Sequence, residues 1–217
     1  DILLLFSAYP HLQGRIAHSE LASLPTPVEA LPSIADNAWV KRDDLTHDEY
    51  GGNKIRKLEF ILAQAQAIGK DHIVTFGATG TNHGVATAML CHKLGLKCTV
   101  LLFEQPVTDT VRKNLKMMTA YQAQLIYKGS LFKTVLAYYL NSLRLSSKSY
   151  FLFAGGSNAQ GTLGRVNAAL ELKQQIDAGL CPEPTQIICP VGSSATLAGL
   201  TIGMQVAGLK SEVVGIR

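Results

Sequence analysis

The sequence predicts an α/β fold of parallel sheets flanked by helices, and three observations carry that prediction. From residue 54 onward, short apolar runs alternate with segments of helical periodicity. Gly69, Gly95 and Gly179 stand where helices should stop, a place glycine favours because it adopts positive φ without strain. Two strand-to-helix junctions, 77–81 and 192–196, are rich in Gly, Ser and Thr, where open parallel sheets carry their ligand loops.

In chain order, Ile55, Leu58, Ile61, Leu62, Ala65 and Ile68 follow the i, i+3, i+4 spacing of a helix with one apolar face. Ile73–Phe76 reads as a strand, and a helix from about Asn82 to Leu94 follows the loop at 77–81. Cys98–Phe103 is the next strand. Thr108 is placed to cap a helix through about Thr119, with Val111, Leu115 and Met118 on one face. Gln124–Tyr127 reads as a short strand, Ser130 as the cap of a helix through Leu143, and Tyr150–Ala154 as a fourth strand. Beyond Gly155-Gly156 a helix is expected over 162–178 and a turn at Cys181-Pro182-Glu183-Pro184. The strand Ile187–Val191 then enters the loop 192–196 and a helix of small residues, and Val213–Ile216 reads as a buried strand that completes another βαβ unit. No turn or covering helix follows that strand, so the chain is expected to be truncated at its C-terminus.

Composition excludes several classes. The 217 residues suffice for one large or two small domains with a sizeable core. The balance of 20 Lys+Arg against 16 Asp+Glu is spread along the chain without aromatic interleaving, which argues against nucleic acid. No apolar run approaches the ~20 residues of a membrane span. The run Ile2–Phe6 is short and lacks basic residues before it, unlike a signal peptide. Cys91, Cys98, Cys181 and Cys189 form no C-x-x-C pair and sit mostly in apolar segments. That pattern fits reduced structural thiols in a cytoplasmic protein, and no metal is expected.

The chemistry-bearing residue is Lys54. Gly51-Gly52-Asn53 precedes it, so the amine is expected in a first helical turn capped by Asn53. There the positive end of the helix dipole and partial burial disfavour the ammonium form, which suits Schiff-base chemistry with a carbonyl. Gly192, Ser193, Ser194, Ala195 and Thr196 can bring backbone N–H groups onto a phosphate at a helix start. Neither G-x-G-x-x-G nor G-x-x-x-x-G-K-[ST] occurs, so a nucleotide is disfavoured. An activated lysine and a phosphate cup together point to pyridoxal 5'-phosphate.

The run Gly51–Glu59 closely resembles the lysine motif of the 1-aminocyclopropane-1-carboxylate deaminase and D-cysteine desulfhydrase family. Thr81-Asn82-His83 resembles that family's Ser-Asn-His/Gln segment, and Val40–Leu45, Gly155–Ala159 and the 192–196 loop also match. The resemblance runs from about Leu24 to Arg217. It implies the fold-type II architecture of tryptophan synthase beta-like enzymes: two αβα three-layer domains with parallel sheets. Residues 1–55 and 156–217 would form the larger, incomplete cofactor-binding domain, and 56–155 the smaller one. By resemblance, Lys54 holds the cofactor and moves protons at the substrate α-carbon. Asn82 meets the ring hydroxyl, Gly192–Thr196 hold the phosphate, and Lys57, one turn on, reaches it too. Thr81, Asn82 and His83 would contact substrate, with Thr81 also a catalytic candidate. Thr81 replaces the family's usual serine, and Gly84-Val85-Ala86 replaces residues that are commonly polar.

The resemblance implies a homodimeric lyase or deaminase acting on a small amino acid. Elimination from a D-cysteine-like substrate leads, and opening of the 1-aminocyclopropane-1-carboxylate ring to 2-ketobutyrate and ammonia is the alternative. Two rivals remain: a relative that binds the cofactor without turnover, and a serine hydrolase, because Gly155-Gly156-Ser157-Asn158-Ala159 approximates a nucleophile elbow.

Overall fold

The computed structural model describes residues 3–143 and 147–217. Asp1 and Ile2, the start of the expected first segment and of the apolar run, lie outside the described residues. The chain divides into two compact units, 1–61 with 157–217 and 62–156. The fold is α/β, as the alternation of elements requires.

The unit of residues 62–156 is built on one all-parallel sheet of order β5-β4-β3-β6. Its strands are β3 (His72–Ala78), β4 (Lys97–Phe103), β5 (Gln124–Gly129) and β6 (Ser149–Phe151), and α3 (Asn82–Lys93), α4 (Asp109–Ala120) and α5 (Leu131–Leu143) are the crossovers. Threonine hydroxyls start two of them: Thr81 Oγ1 accepts from Gly84 N at 3.1 Å and Thr108 Oγ1 from Val111 N at 3.3 Å. Strand β3 is buried along its middle, as expected of a parallel strand covered on both faces. Phe76, Leu101 and Tyr138 join β3, β4 and α5 in one core. The expected strand 150–154 ends at Phe151, because Ala154–Gly156 forms a 3-10 turn with Gly155 at φ 80°.

The unit of residues 1–61 and 157–217 contains α1 (Leu4–Ala8), the antiparallel pair β1 (Val28–Ala30) and β2 (Trp39–Lys41), the start of α2 (Ile55–Ala67), and α6 (Ala159–Asp177). It closes with β7 (Gln186–Pro190), α7 (Ala195–Ala207) and β8 (Glu212–Ile216), a βαβ unit with β7 and β8 parallel. Leu5, Phe6, Phe60 and Val166 form one core, and Ala169, Met204 and Leu209 another. Asn158 caps α6 by accepting from Gly161 N at 2.8 Å, so this helix starts three residues before the expected Thr162. The strand at 213–216 is less buried than expected, with Ile216 56% exposed.

Helix α2 departs from the one-sided pattern expected of it. Arg56, Lys57 and Glu59 are buried alongside Ile55, Leu58 and Ile61, while Ile68 lies past the helix end and is half exposed. Among the described residues no helix is long and apolar enough to cross a membrane.

Candidate active site

Lys54 stands one position earlier than expected, as the residue that starts α2 rather than one inside its first turn. Its carbonyl accepts from Leu58 N at 3.0 Å and from Lys57 N at 3.1 Å. The two preceding glycines each have a steric cause. A Cβ at Gly51 would collide with the carbonyl of Asp44, and Gly52 has φ +124°. The buried hydroxyl of Thr46 staples this turn, accepting from Gly52 N at 2.9 Å and donating to Gly52 O at 2.9 Å.

Burial, then the nearby Arg165 guanidinium, holds the Lys54 amine below the ordinary lysine range. Lys57 is pushed to about 7 by burial, by Lys54 and by Arg165. Three cationic groups thus gather at the start of α2, a donor set suited to an anion and to an amine that reacts unprotonated. Behind them lies a buried ionic network. Arg165 Nη1 meets Asp43 Oδ2 at 2.6 Å, and its Nη2 donates to Asn53 O at 2.5 Å. Arg56 bridges Asp43 at 2.9 Å and Glu171 at 2.9 Å, and Lys41 meets Glu171 at 2.6 Å. Burial works to raise the Asp43 carboxyl, but Arg56 and Arg165 overcome it and leave it at about 2.

The loop at 192–196 enters α7 through Ser194 at φ 61°, a left-handed residue just before the helix. Gly192, Ser193 and Ser194 are exposed, and nothing lies within 4 Å of a Cβ placed at Gly192. Ala195 and Thr196 are buried at the helix start. A left-handed residue before a helix N-terminus makes a concave set of N–H donors that fits a phosphate. The same helix packs against the network: a Cβ at Gly199 would lie 2.5 Å from Arg165 Cβ. Lysine amines, an open N–H cup and serine hydroxyls therefore fit pyridoxal phosphate in this unit.

In the unit of residues 62–156, Thr81 and Asn82 open α3 at the C-terminal end of β3. Asn82 Oδ1 accepts from Asn114 Nδ2 at 3.0 Å, and the same amide donates to Gly80 O at 2.8 Å. That contact sets which end of the Asn82 amide faces Asn114. Thr79 Oγ1, in the same loop, is buried without a hydrogen-bond partner, a free hydroxyl beside the expected ligand loop. His83, expected at the substrate, is 5% exposed and its Nε2 lies 2.9 Å from Thr75 Oγ1. The hydrolase reading loses support as well, because Ser157 Oγ is buried and has no hydrogen-bond partner where a nucleophile needs a base.

Sequence reasoning missed Arg165, Glu171 and Asn114. Asp43 lay inside the quoted Val40–Leu45 match, but nothing local marked the other three.

A family model described as pyridoxal-phosphate dependent enzyme matches residues 20–217. Among solved structures, an ACC deaminase homologue superposes with a TM-score of 0.83 at 28% identity, covering 99% of this chain and 66% of that one. A pyridoxal 5'-phosphate-dependent aspartate racemase matches at TM-score 0.70 and 21% identity, over 98% of this chain and 61% of that one. A serine racemase from Dictyostelium discoideum matches at 0.69 and 20%, over 98% and 64%. The last two show the fold alone, and this chain spans slightly under two thirds of the length of the structures it matches. The fold is that of fold-type II enzymes, and the chain belongs to the pyridoxal-phosphate dependent enzyme family.

Proposed function

We propose that the protein is a pyridoxal-phosphate lyase for a small amino acid, eliminating thiol from a D-cysteine-like substrate. The observation that carries this reading is the Lys54 amine, half-buried at the start of α2 and kept below the usual lysine range. In the balanced reaction the substrate loses its α-proton and its thiol, and water then releases a keto acid and ammonia.

Bound pyridoxal phosphate supplies an electron sink for the substrate α-carbon. Lys54 would hold that group through its amine and would move the α-proton. Gly192–Thr196 and Lys57 bind the phosphate. Thr81 Oγ1 accepts from Gly84 N, and its own hydroxyl proton would serve as a donor for the substrate carboxylate. Asn82, whose Oδ1 accepts from Asn114, would hydrogen-bond the cofactor ring hydroxyl. The larger cofactor-binding domain is assigned to 1–55 and 156–217 and the smaller to 56–155, and the protein is assigned as a cytoplasmic homodimer.

One observation favours a second reading, ring-opening of 1-aminocyclopropane-1-carboxylate: the 28% identical structure is an ACC deaminase homologue. The test is an assay of the full-length protein with D-cysteine, D-serine and 1-aminocyclopropane-1-carboxylate, reading sulfide, keto acid and ammonia. Sulfide with pyruvate from D-cysteine supports the first reading, and 2-ketobutyrate from the cyclopropane supports the second. A visible cofactor band without any product favours a binding relative. Should Lys54→Ala keep the wild-type band, the assignment of Lys54 is wrong.

A further inference from the structure

We propose that Arg165 is a positioning residue for Lys54, gripping the Asn53 main-chain carbonyl while Asp43 holds its guanidinium. The inference rests on the reading of Lys54 as the cofactor lysine and assigns a role to a residue on α6. The gripped carbonyl belongs to the peptide bond that joins Asn53 to Lys54. Fixing that plane fixes the direction in which the Lys54 side chain leaves the backbone.

The contact is tightly determined. The Arg165 side chain is 4% exposed, and its two Nη groups bind Asp43 and Asn53 O. A Cβ at the adjacent Gly164 would collide with Arg56 O, so only glycine lets α6 approach the start of α2 this closely. On the other side, Gly199 of α7 lies over the Arg165 stem. Asp43 cannot swing away, because Arg56 binds it through Nε and Nη2. Arg56 is in turn fixed by Glu171 and by Thr26 Oγ1. Buried ion pairs of this kind add little stability over well-packed apolar residues, so this network is better explained by what it orients.

The same guanidinium has an electrostatic consequence. Arg165 from α6 acts on both Lys54 and Lys57 of α2, with Asp43 and Arg56 beside Arg165 and the Cys189 thiol of β7 near it. Removing the Arg165 charge removes a cation that lowers the Lys54 amine, so that amine becomes easier to protonate.

The experiment compares wild type with Arg165→Met, Arg165→Lys and Lys41→Met, which removes a charge at the far end of the network. In cofactor-free protein, the pH midpoint for reductive methylation of Lys54 is read by mass spectrometry, with exposed Lys116 as internal standard. Arg165→Met is expected to raise that midpoint, and Lys41→Met to leave it near wild type. Arg165→Lys keeps the charge and the midpoint but loses the fork that reaches Asn53 O. After cofactor loading and borohydride reduction, it is expected to show several-fold less label on Lys54. Both Arg165 variants matching wild type in midpoint and label would overturn the proposal, as would Lys41→Met shifting as far as Arg165→Met. Label fixed to another lysine overturns the cofactor reading alone, because the midpoint in cofactor-free protein still decides the role of Arg165.

Discussion

Threonine at 81 and glycine at 84 are two departures from the family pattern that become one at atomic distances. A Cβ at position 84 would lie 2.5 Å from Thr81 Cγ2 and 2.9 Å from Met118 Sδ. The methyl that Thr81 adds to a serine therefore occupies space that Gly84 leaves open. Gly84→Ala gains about 1 kcal/mol of helix propensity but forces this overlap, for a net loss of about 1–2 kcal/mol in urea unfolding. Thr81→Ser keeps the hydroxyl that caps α3 and removes the methyl, and the Met118 thioether is flexible enough to yield. In the Thr81→Ser background, Gly84→Ala is thus expected to be neutral or stabilising, a coupling of about 1 kcal/mol or more. Additive effects of the two substitutions would show that the methyl is not what crowds position 84. Both departures were legible in the sequence, but their connection was not, because three residues of spacing become a contact only after the capped turn forms.

At the scale of elements, what the sequence showed was what each segment does alone. Periodicity found the helices of the 62–156 unit within a residue or two, and Thr108 and Ser130 act as the caps expected of them. The pair β1–β2 went unread because three-residue, half-exposed strands carry no alternation to detect. Helix α7 read as a run of small residues with no stated purpose, and its packing supplies one. Gly199 lies against Arg165 Cβ and Gly203 against Ala169 Cβ, each 2.5 Å from an added Cβ, so four-residue rows on α6 and α7 meet almost backbone to backbone. Gly203→Ala must push Ala169 or the Val166 backbone aside, since neither contact is the tip of a flexible chain. Helix propensity offsets about 1 kcal/mol of that, which leaves a loss of about 1–2 kcal/mol. For a chain of this size the loss lowers Tm by roughly 2–8 °C in a thermal melt. An unchanged or raised Tm would mean that the two helices separate at little cost.

Across the whole molecule, the alternation of strands and helices was legible because it is local, whereas the ionic network was not, because its members lie far apart in sequence. Arg56 and Glu171 are 115 positions apart, and Arg165 and Asp43 are 122. This network gives the protein a specific response to acid. The Asp43 carboxyl sits at about 2, and the Glu171 carboxyl is also lowered, since Arg56 and Lys41 outweigh the opposing effect of burial. For a carboxylate whose folded value lies below its unfolded one, the folded state binds the proton less readily. Its stabilisation is therefore complete above the unfolded value near 4 and is lost as pH falls through the folded value. Asp43 alone contributes about 2 kcal/mol in this way. Urea midpoints measured from pH 7 down to pH 2.5 should hold steady to about pH 5 and then decline. Asp43→Asn strands Arg56 and Arg165 beside a neutral amide, so it should be destabilised by several kcal/mol at pH 7. It should also decline less steeply below pH 5, because one titrating carboxylate has gone. Parallel acid limbs for the variant and wild type would place the acid sensitivity elsewhere in the protein.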